Sequence, residues 1–449
     1  MRALLFALAA ALALPAQAAL AQTREAARPA FQVNVERVVS PGGIEAWLVS
    51  DSTVPMIVMR AYWRGGSASE PADRVGVTSV TADMLTEGAG SYDAPAFKRR
   101  LEDLNMSLGF SSGLDGVSMS LTTLSENRDA AFEMARLALA EPRFDAAPLE
   151  RLRRQLMVGI RQRDTNPGYL ASLAIDQTLH PDHPYARRMT REYAQALSRA
   201  HLQERRANFF ARDRMVVTLV GDISAEDARR LLDQTFASVP ATTPYTRPAD
   251  AVLAPATPLI LRDLPQPQSL IVFTAPGIQD EDPDWLPLAV ANYIIGGGGF
   301  SSRLVAEVRE KRGLVYGIST AAWVRENAAY LRGSAQTENG NVRQALDVIR
   351  AELARIVAEG ATQAEVNDAI TYLTGSFPLD LDSNVKIANV VQSYQAAGRD
   401  IGYINRRNDL IRAVTLADVN RVIARLYAPE NFTFVVVGQP AGLEADGTE

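Results

Sequence analysis

The stretch GGGGFSSRLVAEVREKRGLVYGIST, from Gly296 to Thr320, decides how this sequence is interpreted. Four glycines run into a charged amphipathic segment, which the pattern predicts to be a helix that begins just after the glycines and stops at Gly313. The residues from Leu314 to Thr320 then predict an extended segment of strand character. Because glycine permits tight turns and close backbone approach for any purpose, the neighbouring residues must decide what the glycine run does.

The residues after the glycines argue against a phosphate-binding loop. A Walker A motif needs Gly-Lys-Ser/Thr at its end, whereas this run continues into Phe300 and Ser301 with no lysine in the required place. Arg309, near the end of the predicted helix, and Tyr316, seven residues later, are expected to meet at one corner, where a guanidinium fork and a phenol supply hydrogen bonds. From the residues alone, a surface ion pair for Arg309 and a half-buried aromatic ring for Tyr316 remain the simpler interpretation.

The bulk composition excludes several classes of function. The chain has 449 residues, 47% hydrophobic and 22% charged, which is ordinary globular composition and enough for two or more domains. Its net charge of -6, with both signs mixed along the chain, offers no basic field for nucleic acid. Cysteine is absent, which removes disulfides, thiol nucleophiles and thiolate metal sites.

The first residues predict export. In MRALLFALAAALALPAQAALAQ, one arginine precedes a short apolar run, a proline and small residues of A-x-A type. This pattern predicts a secretory signal peptide over residues 1–21, and therefore an exported protein, periplasmic if the source is a Gram-negative bacterium. The apolar run is too short to span a membrane, and we expect no membrane span elsewhere in the chain.

Two pairs of similar segments predict a duplicated design. FARDRMVVTLVGDIS, from Phe210, and YAPENFTFVVVGQPA, from Tyr427, each predict a buried strand that ends in a glycine. PMIVMRAYWRGGSASEPAD, from Pro55, parallels QSLIVFTAPGIQDEDPD, from Gln268, as a strand, a glycine and an acidic loop. Residues 237–258 are rich in Pro, Ala and Thr and predict a semi-extended linker.

The predicted fold class is therefore α/β (α+β), with two homologous domains that each consist of a mixed β-sheet covered by helices. The predicted boundaries are residues 31–236 for the first domain and 259–441 for the second, facing one another across the linker. Helical spacing of apolar residues predicts helices from Pro148 to Arg163 and from Val342 to Glu359.

The candidate acid, base and metal-binding residues are few. The chain has three histidines, and His180 and His183 lie three residues apart, but prolines interrupt the helix that would place both rings on one side. We interpret this segment as a turn capped by imidazole hydrogen bonds, and His201 as a solvated residue of a charged helix. Asp83 and Glu87, four residues apart, are typical of a solvated helix face rather than of a catalytic carboxylate pair.

The stretch from Gly296 resembles the C-terminal half of the insulinase/pitrilysin-like (inverzincin) metallopeptidases, particularly the two-domain processing-peptidase type. The glycine loop, Ser-Arg-Leu, Val-Arg-Glu and Gly-Leu-x-Tyr fall in the family's order, and the resemblance extends over nearly all of the mature chain, including HPDHPYARR. It implies two homologous α/β domains that form half of a clamshell. It also implies that Arg309 and Tyr316 bind substrate backbone, with the loop residues Gly297, Gly298 and Gly299 beside them.

The same resemblance implies that the family's zinc site is degenerate in this chain. The family carries an inverted H-x-x-E-H on a helix of its first half, with a distant glutamate as the further ligand. Matching DRVGVTSVTADMLTEGAG to that helix puts Ser79 and Asp83 at the two histidines and Ala82 at the catalytic glutamate, and Gly159 falls at the distant ligand. Ser and Asp cannot supply a pair of neutral nitrogen donors and Ala cannot take a proton, so we expect no metal in this chain.

These observations lead to one preferred hypothesis and two alternatives. The preferred one is a non-catalytic, substrate-binding subunit of an exported heteromeric zinc peptidase, a pseudopeptidase whose zinc is carried by a homologous partner chain, with a peptide as substrate. One alternative is a structural or scaffolding homologue with no role in proteolysis. The other is an enzyme that binds a metal through His180 and His183.

Overall fold

A computed structural model describes residues 32–443 of the protein. The predicted signal peptide, residues 1–21, lies outside the described residues. Within the described part, no helix is both long and apolar enough to cross a membrane.

The first half contains a sheet with the strand order β1-β2-β8-β3-β7-β6. Its strands, together with a small separate hairpin formed by β4 and β5, are β1 (Glu36–Val39), β2 (Glu45–Ser50), β3 (Met56–Arg64), β4 (Gly88–Ala89), β5 (Tyr92–Asp93), β6 (Ser107–Ser112), β7 (Gly116–Leu124) and β8 (Met215–Gly221). The helices of this half are α1 (Val77–Met84), α2 (Ala94–Asp103), α3 (Arg128–Ala140), α4 (Ala146–Arg163), α5 (Pro167–Leu179), α6 (Arg191–Ala196), α7 (Arg199–Phe209) and α8 (Ala225–Phe236).

The second half contains a sheet with the strand order β11-β12-β10-β13-β9. Its strands are β9 (Ile260–Asp263), β10 (Gln268–Pro276), β11 (Gly317–Arg325), β12 (Ala328–Glu338) and β13 (Thr433–Gly438). Its helices are α9 (Trp285–Asn292), α10 (Val342–Glu359), α11 (Gln363–Gly375), α12 (Asn384–Ala396), α13 (Tyr403–Arg412) and α14 (Leu416–Leu426).

The predicted fold class is confirmed, because each sheet mixes parallel and antiparallel pairs and is covered by helices. In the first sheet β2 pairs with β8 in parallel and β3 pairs with β8 antiparallel. In the second, β13 pairs with β9 in parallel and with β10 antiparallel. The two predicted segment pairs contain β3 and β10, and β8 and β13, so both repeats lie at matching places in the two sheets.

The glycines that end β8 and β13 have the same physical cause. Gly221 and Gly438 both adopt positive φ angles, 126° and 153°. A Cβ on Gly221 would lie 2.0 Å from the carbonyl oxygen of Met56, and one on Gly438 would lie 2.3 Å from the hydroxyl of Ser269. A side chain at either position would therefore force the neighbouring strand away.

Each half packs its own helices on one face of its sheet, around an aromatic centre. In the first half Trp63 of β3 packs edge-on against Phe210, with 5.0 Å between the ring centroids. In the second, Phe273 of β10 stacks on Phe434 of β13 at 5.5 Å. Because side chains alternate across a strand, each sheet is left with a second face to cover.

The second face of each sheet is covered by a helix that belongs to the other half of the chain. Helix α12 of the second half lies on the first sheet, where Arg60 Nε donates to Asn389 Oδ1 at 3.0 Å and Thr218 Oγ1 donates to Gln395 Oε1 at 3.1 Å. Helix α5 of the first half lies on the second sheet, where its alanines and Ile175 join a buried apolar cluster with valines of β10 and β13. Of the described residues, 34–443 belong to one compact unit.

The predicted linker is held against both halves by hydrogen bonds and a ring contact. The Ala254 amide donates to the Leu179 carbonyl at 2.7 Å, and the Ala251 amide donates to the Asn327 carbonyl at 2.8 Å. The ring of Tyr245 lies under the guanidinium of Arg214 at 4.6 Å. These contacts hold the segment in place without a helix or strand of its own between residues 240 and 258.

Candidate functional site

The predicted helix after the glycine run is present, but its geometry differs from the expectation. Helix α9 widens into a π-helix over Tyr293–Gly297, and the segment after the loop is a π-helix over Val305–Glu310. The Lys311 amide, for example, bonds to the Ala306 carbonyl five residues back, at 3.0 Å. Periodicity cannot separate a π-helix from an α-helix over six residues. Such widened turns are frequent at functional sites.

Packing explains part of the glycine run. A Cβ on Gly298 would lie 2.7 Å from the carbonyl oxygen of Tyr293, and Gly299 has a left-handed φ of 57°. Gly297 and Gly299 are exposed, and Phe300, which follows them, is 68% exposed. The loop therefore presents bare backbone and one aromatic ring to solvent.

Two ion pairs fix the segment that follows the loop. Arg303 donates to both carboxylate oxygens of Glu365, at 2.6 and 2.7 Å, and this interaction lowers the pKa of Glu365 to about 2. Glu307 accepts from Lys311 at 2.5 Å and from Arg312 at 2.7 Å, and these hydrogen bonds lower its pKa to about 2. Glu365 and Glu307 are thus already paired with cations other than Arg309.

Arg309 is left with an aromatic partner. Its guanidinium lies 4.7 Å from the ring centroid of Phe300. Among the residues that the structure describes, no carboxylate lies within ion-pair distance of it, so the surface ion pair favoured by the residues alone is not what forms. Stacking leaves the in-plane N–H groups of a guanidinium free to donate.

Tyr316 lies at the start of β11, separated from Arg309 by the end of the π-helix. It is 57% exposed, and its hydroxyl is 3.4 Å from Oε1 of Glu338. Its amide donates to the Gln336 carbonyl at 3.0 Å, which ties it to β12. No hydrogen bond joins Arg309, which is half-buried, to the exposed Tyr316 in the described structure.

The degenerate zinc positions lie on α1 and α4, and the structure brings two of them together. Ser79 and Gly159 both line a cleft of about 710 Å³ between these helices. Ala82 is buried, with 1% of its surface exposed, and Asp83 points to solvent. The Ser79 hydroxyl lies 3.4 Å from the Gly76 carbonyl, and a Cβ on Gly159 would meet no atom within 4 Å. Two of the four positions that the resemblance matches to the zinc site therefore lie in one cleft.

The buried carboxylate of Glu70, at this cleft, already accepts hydrogen bonds from the protein. Glu70 accepts from the amides of Gly76 and Thr78, both at 2.6 Å, and so caps the N-terminus of α1. Its burial raises its pKa. A carboxylate held by two backbone amides at a helix N-terminus serves the helix rather than a metal. Across residues 32–443, no group of three or more His, Asp or Glu side chains is placed to hold a metal ion.

The histidines serve local structure. His183 Nδ1 accepts from the Tyr185 amide at 3.2 Å, and Nε2 is 2.9 Å from the Ala249 carbonyl, as expected for a capped turn. Burial lowers the pKa of His183. His180 is buried, with Nε2 3.4 Å from Oδ1 of Asp176. These contacts leave no shared metal site for the two rings.

The expectation that His201 is solvated was wrong. His201 is half-buried at the third position of α7, where its Nδ1 is 3.4 Å from the Ser198 amide and completes a capping box. Histidine replaces the usual glutamate of this motif, which is why the charged composition of the helix did not reveal the contact.

The sequence did not reveal that Tyr185 in HPDHPYARR connects the two halves. Tyr185 is fully buried, donates to Asp115 and accepts from the Asn327 amide at 3.0 Å. It therefore joins the β6–β7 turn of the first half to the β11–β12 turn of the second. The aromatic residue among prolines was the available signal, but its partners lie 70 and 142 residues away.

Comparison with known proteins agrees with this geometry. Residues 196–373 match the family model described as "Peptidase M16 inactive domain". The "Non-peptidase homolog YmxG" of Helicobacter pylori is 25% identical over 387 residues, which cover 86% of this chain and 89% of that protein. An uncharacterized zinc protease of Mycobacterium leprae is 26% identical over 414 residues, 90% of this chain and 91% of the relative.

A solved structure extends the match to the whole fold. The peptidase M16 inactive domain from Pseudomonas fluorescens has a TM-score of 0.86 and 26% identity, covering 92% of this chain and 99% of that one. The match therefore spans both halves of the chain. Most of this chain is therefore similar in sequence and fold to inactive homologues of the M16 peptidase family, and residues 196–373 match that family's inactive-domain model.

Proposed function

We propose that this chain is the substrate-binding, non-catalytic subunit of an exported heteromeric zinc peptidase. The zinc ion and the water-activating glutamate would come from a homologous partner chain that carries an intact H-x-x-E-H. The observation that carries this proposal is Arg309, a cation with no carboxylate partner in the described structure, held by Phe300 at the rim of an open glycine loop.

The corner offers what an extended peptide requires. A peptide carbonyl can accept from the in-plane N–H groups of Arg309 and from the phenol of Tyr316. Strand β11 begins directly after Tyr316 and lies at the edge of the second sheet. An edge strand has free N–H and C=O groups, so a peptide can add to it while its carbonyl is held at the corner.

The first half supports the division of labour between two chains. Ser79 and Asp83 are not imidazoles, Ala82 cannot take a proton, and Gly159 has no side chain to bind a metal. A chain that retains a substrate corner without these groups needs the chemistry from elsewhere. The predicted signal peptide places both subunits outside the cytoplasm under this proposal.

The test is reconstitution with the zinc-bearing chain that co-purifies with this one. We expect each chain alone to be inactive toward a mixture of internally quenched peptides and the two together to hydrolyse it. Arg309→Ala should lower kcat/KM of the mixture by about 10- to 100-fold, the effect of losing a charge-assisted hydrogen bond, and Tyr316→Phe by about 3- to 10-fold.

Matched controls are available in the same half. Arg262→Ala removes an exposed arginine that, like Arg309, has no carboxylate partner in the described structure, and Tyr372→Phe removes the hydroxyl of a ring that is 56% exposed. Both should leave hydrolysis unchanged. An active mixture that tolerates Arg309→Ala and Tyr316→Phe would remove the corner from the proposal. If no zinc-bearing chain associates and no mixture is active, the scaffolding alternative holds instead.

A further inference from the structure

The cleft at the former zinc site has apolar walls. It lies between α1 and α4, has a volume of about 710 Å³, and its apolar lining residues are Val75, Leu114, Leu156, Ile160 and Met189. The uncharged polar lining consists of hydroxyl and amide groups. A cavity of this size and character is typical of a small-molecule site.

The mouth of the cleft carries positive charge that the protein does not balance. Arg163 and Arg187 both line it, and neither has a carboxylate partner among the described residues. Arg163 donates to the Met189 carbonyl at 3.0 Å and Arg187 donates to the Glu70 carbonyl at 3.1 Å, which positions both guanidinia. A third arginine of the lining, Arg188, is neutralised by Asp176.

Glu70 also lines the cleft, and backbone amides at the N-terminus of α1 offset its negative charge. The carboxylate of Glu70 is directed at the amides of Gly76 and Thr78, and both of its oxygens are engaged there. The two free guanidinia therefore favour a ligand with a negative charge, and a carboxylate accepts from guanidinium N–H groups with well-matched geometry.

The cleft has space for an apolar chain. Helix α4 buries only Pro148 and Leu149 of its 18 residues, so its cleft-facing side chains Leu156 and Ile160 remain half-buried. The absence of a side chain at Gly159 opens the wall further, because a Cβ there would meet no atom within 4 Å. Met189 also lines the cleft, and its flexible side chain can adapt to a ligand.

We propose that this cleft binds an amphiphilic monocarboxylate of the fatty-acid class. Its carboxylate would lie between Arg163 and Arg187, and its apolar chain would lie along α4, past Gly159, against Leu156 and Ile160. Loss of the zinc ligands would then have converted a catalytic cleft into a binding site. This inference does not depend on the proposed role in peptide hydrolysis.

Calorimetric titration of the full chain with dodecanoate, below its micellar concentration, tests the proposal. We expect saturable binding of one molecule per chain. Dodecanol and dodecyltrimethylammonium should bind at least about 10-fold more weakly, because they cannot accept charge-assisted hydrogen bonds from the guanidinia. Equal affinity for dodecanol would overturn the assignment.

Variants of the cleft wall and of the two arginines test separately how each contributes to binding. Gly159→Phe should abolish binding by filling the cleft, whereas Gly159→Ala should keep it. Arg163→Gln combined with Arg187→Gln should weaken dodecanoate binding by about 10-fold or more, whereas Arg161→Gln, an exposed arginine on the same helix that does not line the cleft, should not. Unchanged binding by Gly159→Phe would show that dodecanoate binds elsewhere.

Two further measurements keep the outcome decisive. If Gly159→Phe fails to fold, Arg187→Gln alone, at an exposed residue with one backbone hydrogen bond, must still weaken binding. An apolar tripeptide with a free C-terminal carboxylate presents the same charged group from another source. If the tripeptide binds more tightly than dodecanoate, the fatty-acid class is wrong.

Discussion

Arg303 and Glu365 face each other through two parallel hydrogen bonds of 2.6 and 2.7 Å, across 62 residues of sequence. The pair ties the segment after the glycine loop to the first turn of α11. Because only 13% of the arginine side chain and 30% of the glutamate side chain are exposed, solvent screens the pair less than it screens a surface ion pair. The position of Arg309 therefore depends on a carboxylate outside the corner.

This pair predicts an acid-sensitive contribution to stability. The pKa of Glu365 is lowered to about 2 by Arg303, so its contribution is fully present above the ordinary glutamate pKa of about 4.3 and is lost as the pH falls toward 2. We expect Glu365→Gln to lower the free energy of unfolding by about 1–2 kcal/mol at pH 7 and by much less near pH 2. Urea unfolding of both proteins across this range measures the difference.

Glu310→Gln is the control for the pH experiment. Glu310 is exposed at the end of the π-helix that follows Arg303 and forms no ion pair in the described structure, so its substitution should change stability little at any pH. A difference between wild type and Glu365→Gln that stays constant from pH 7 to pH 2 would contradict the assigned ion pair.

The packing of Gly298 predicts a stability defect that is independent of substrate. Gly298→Ala would place a Cβ 2.7 Å from the Tyr293 carbonyl oxygen and should lower the free energy of unfolding by about 1–3 kcal/mol. Gly340→Ala, at an exposed glycine where a Cβ would meet no atom within 4 Å, should stay within about 0.5 kcal/mol of wild type. Equal melting temperatures for the two variants would mean that the loop relaxes freely around the new methyl group.

The cleft predicts that metal binding can be restored. Ser79→His and Asp83→His would put two imidazoles one helical turn apart on α1, one at a position that lines the cleft and one at the exposed position next along that face, and Gly159→Glu would add a carboxylate from the facing wall. We expect the triple variant to bind about one equivalent of zinc by elemental analysis after dialysis. Replacing the third change with Gly168→Glu, outside the cleft, should abolish stoichiometric binding; if both variants bind zinc equally, Gly159 does not face the two helix positions.

The helix exchange predicts one cooperative unfolding transition. Ala174 of α5 is 1% exposed and lies in the apolar cluster with Val435 and Val437 of the second sheet. Ala174→Leu should overpack this contact and lower the free energy of unfolding by about 1–3 kcal/mol, whereas Gln177→Leu, on the exposed side of α5, should have little effect. Calorimetry that resolves separate melting of the two halves in wild type would contradict this coupling.

Much of the fold follows from the sequence because its signals are local. The apolar runs of β3 and β10, the closing glycines of β8 and β13 and the apolar spacing of α10 each depend on residues close together in the chain. The assignment of Ser79 and Gly159 to a former zinc site stays a prediction, and the structure shows only that both residues line one cleft.

The features that escaped prediction depend on distant partners. Helices α5 and α12 have ordinary apolar spacing, and nothing in that spacing says that each covers the sheet of the other half. The stacking of Arg309 on Phe300 escaped for a different reason: it depends on how the Gly299 turn folds the chain back, which composition does not encode.

The exchanged helices limit how this protein can be shortened. A gene truncated to either half would keep a sheet with one bare apolar face and would also carry a helix with no sheet to cover. Such a fragment is expected to aggregate, because large exposed apolar faces and open strand edges promote association. A homologue without the zinc ligands is therefore still expected to need the complete first half, because α5 of that half covers the second sheet.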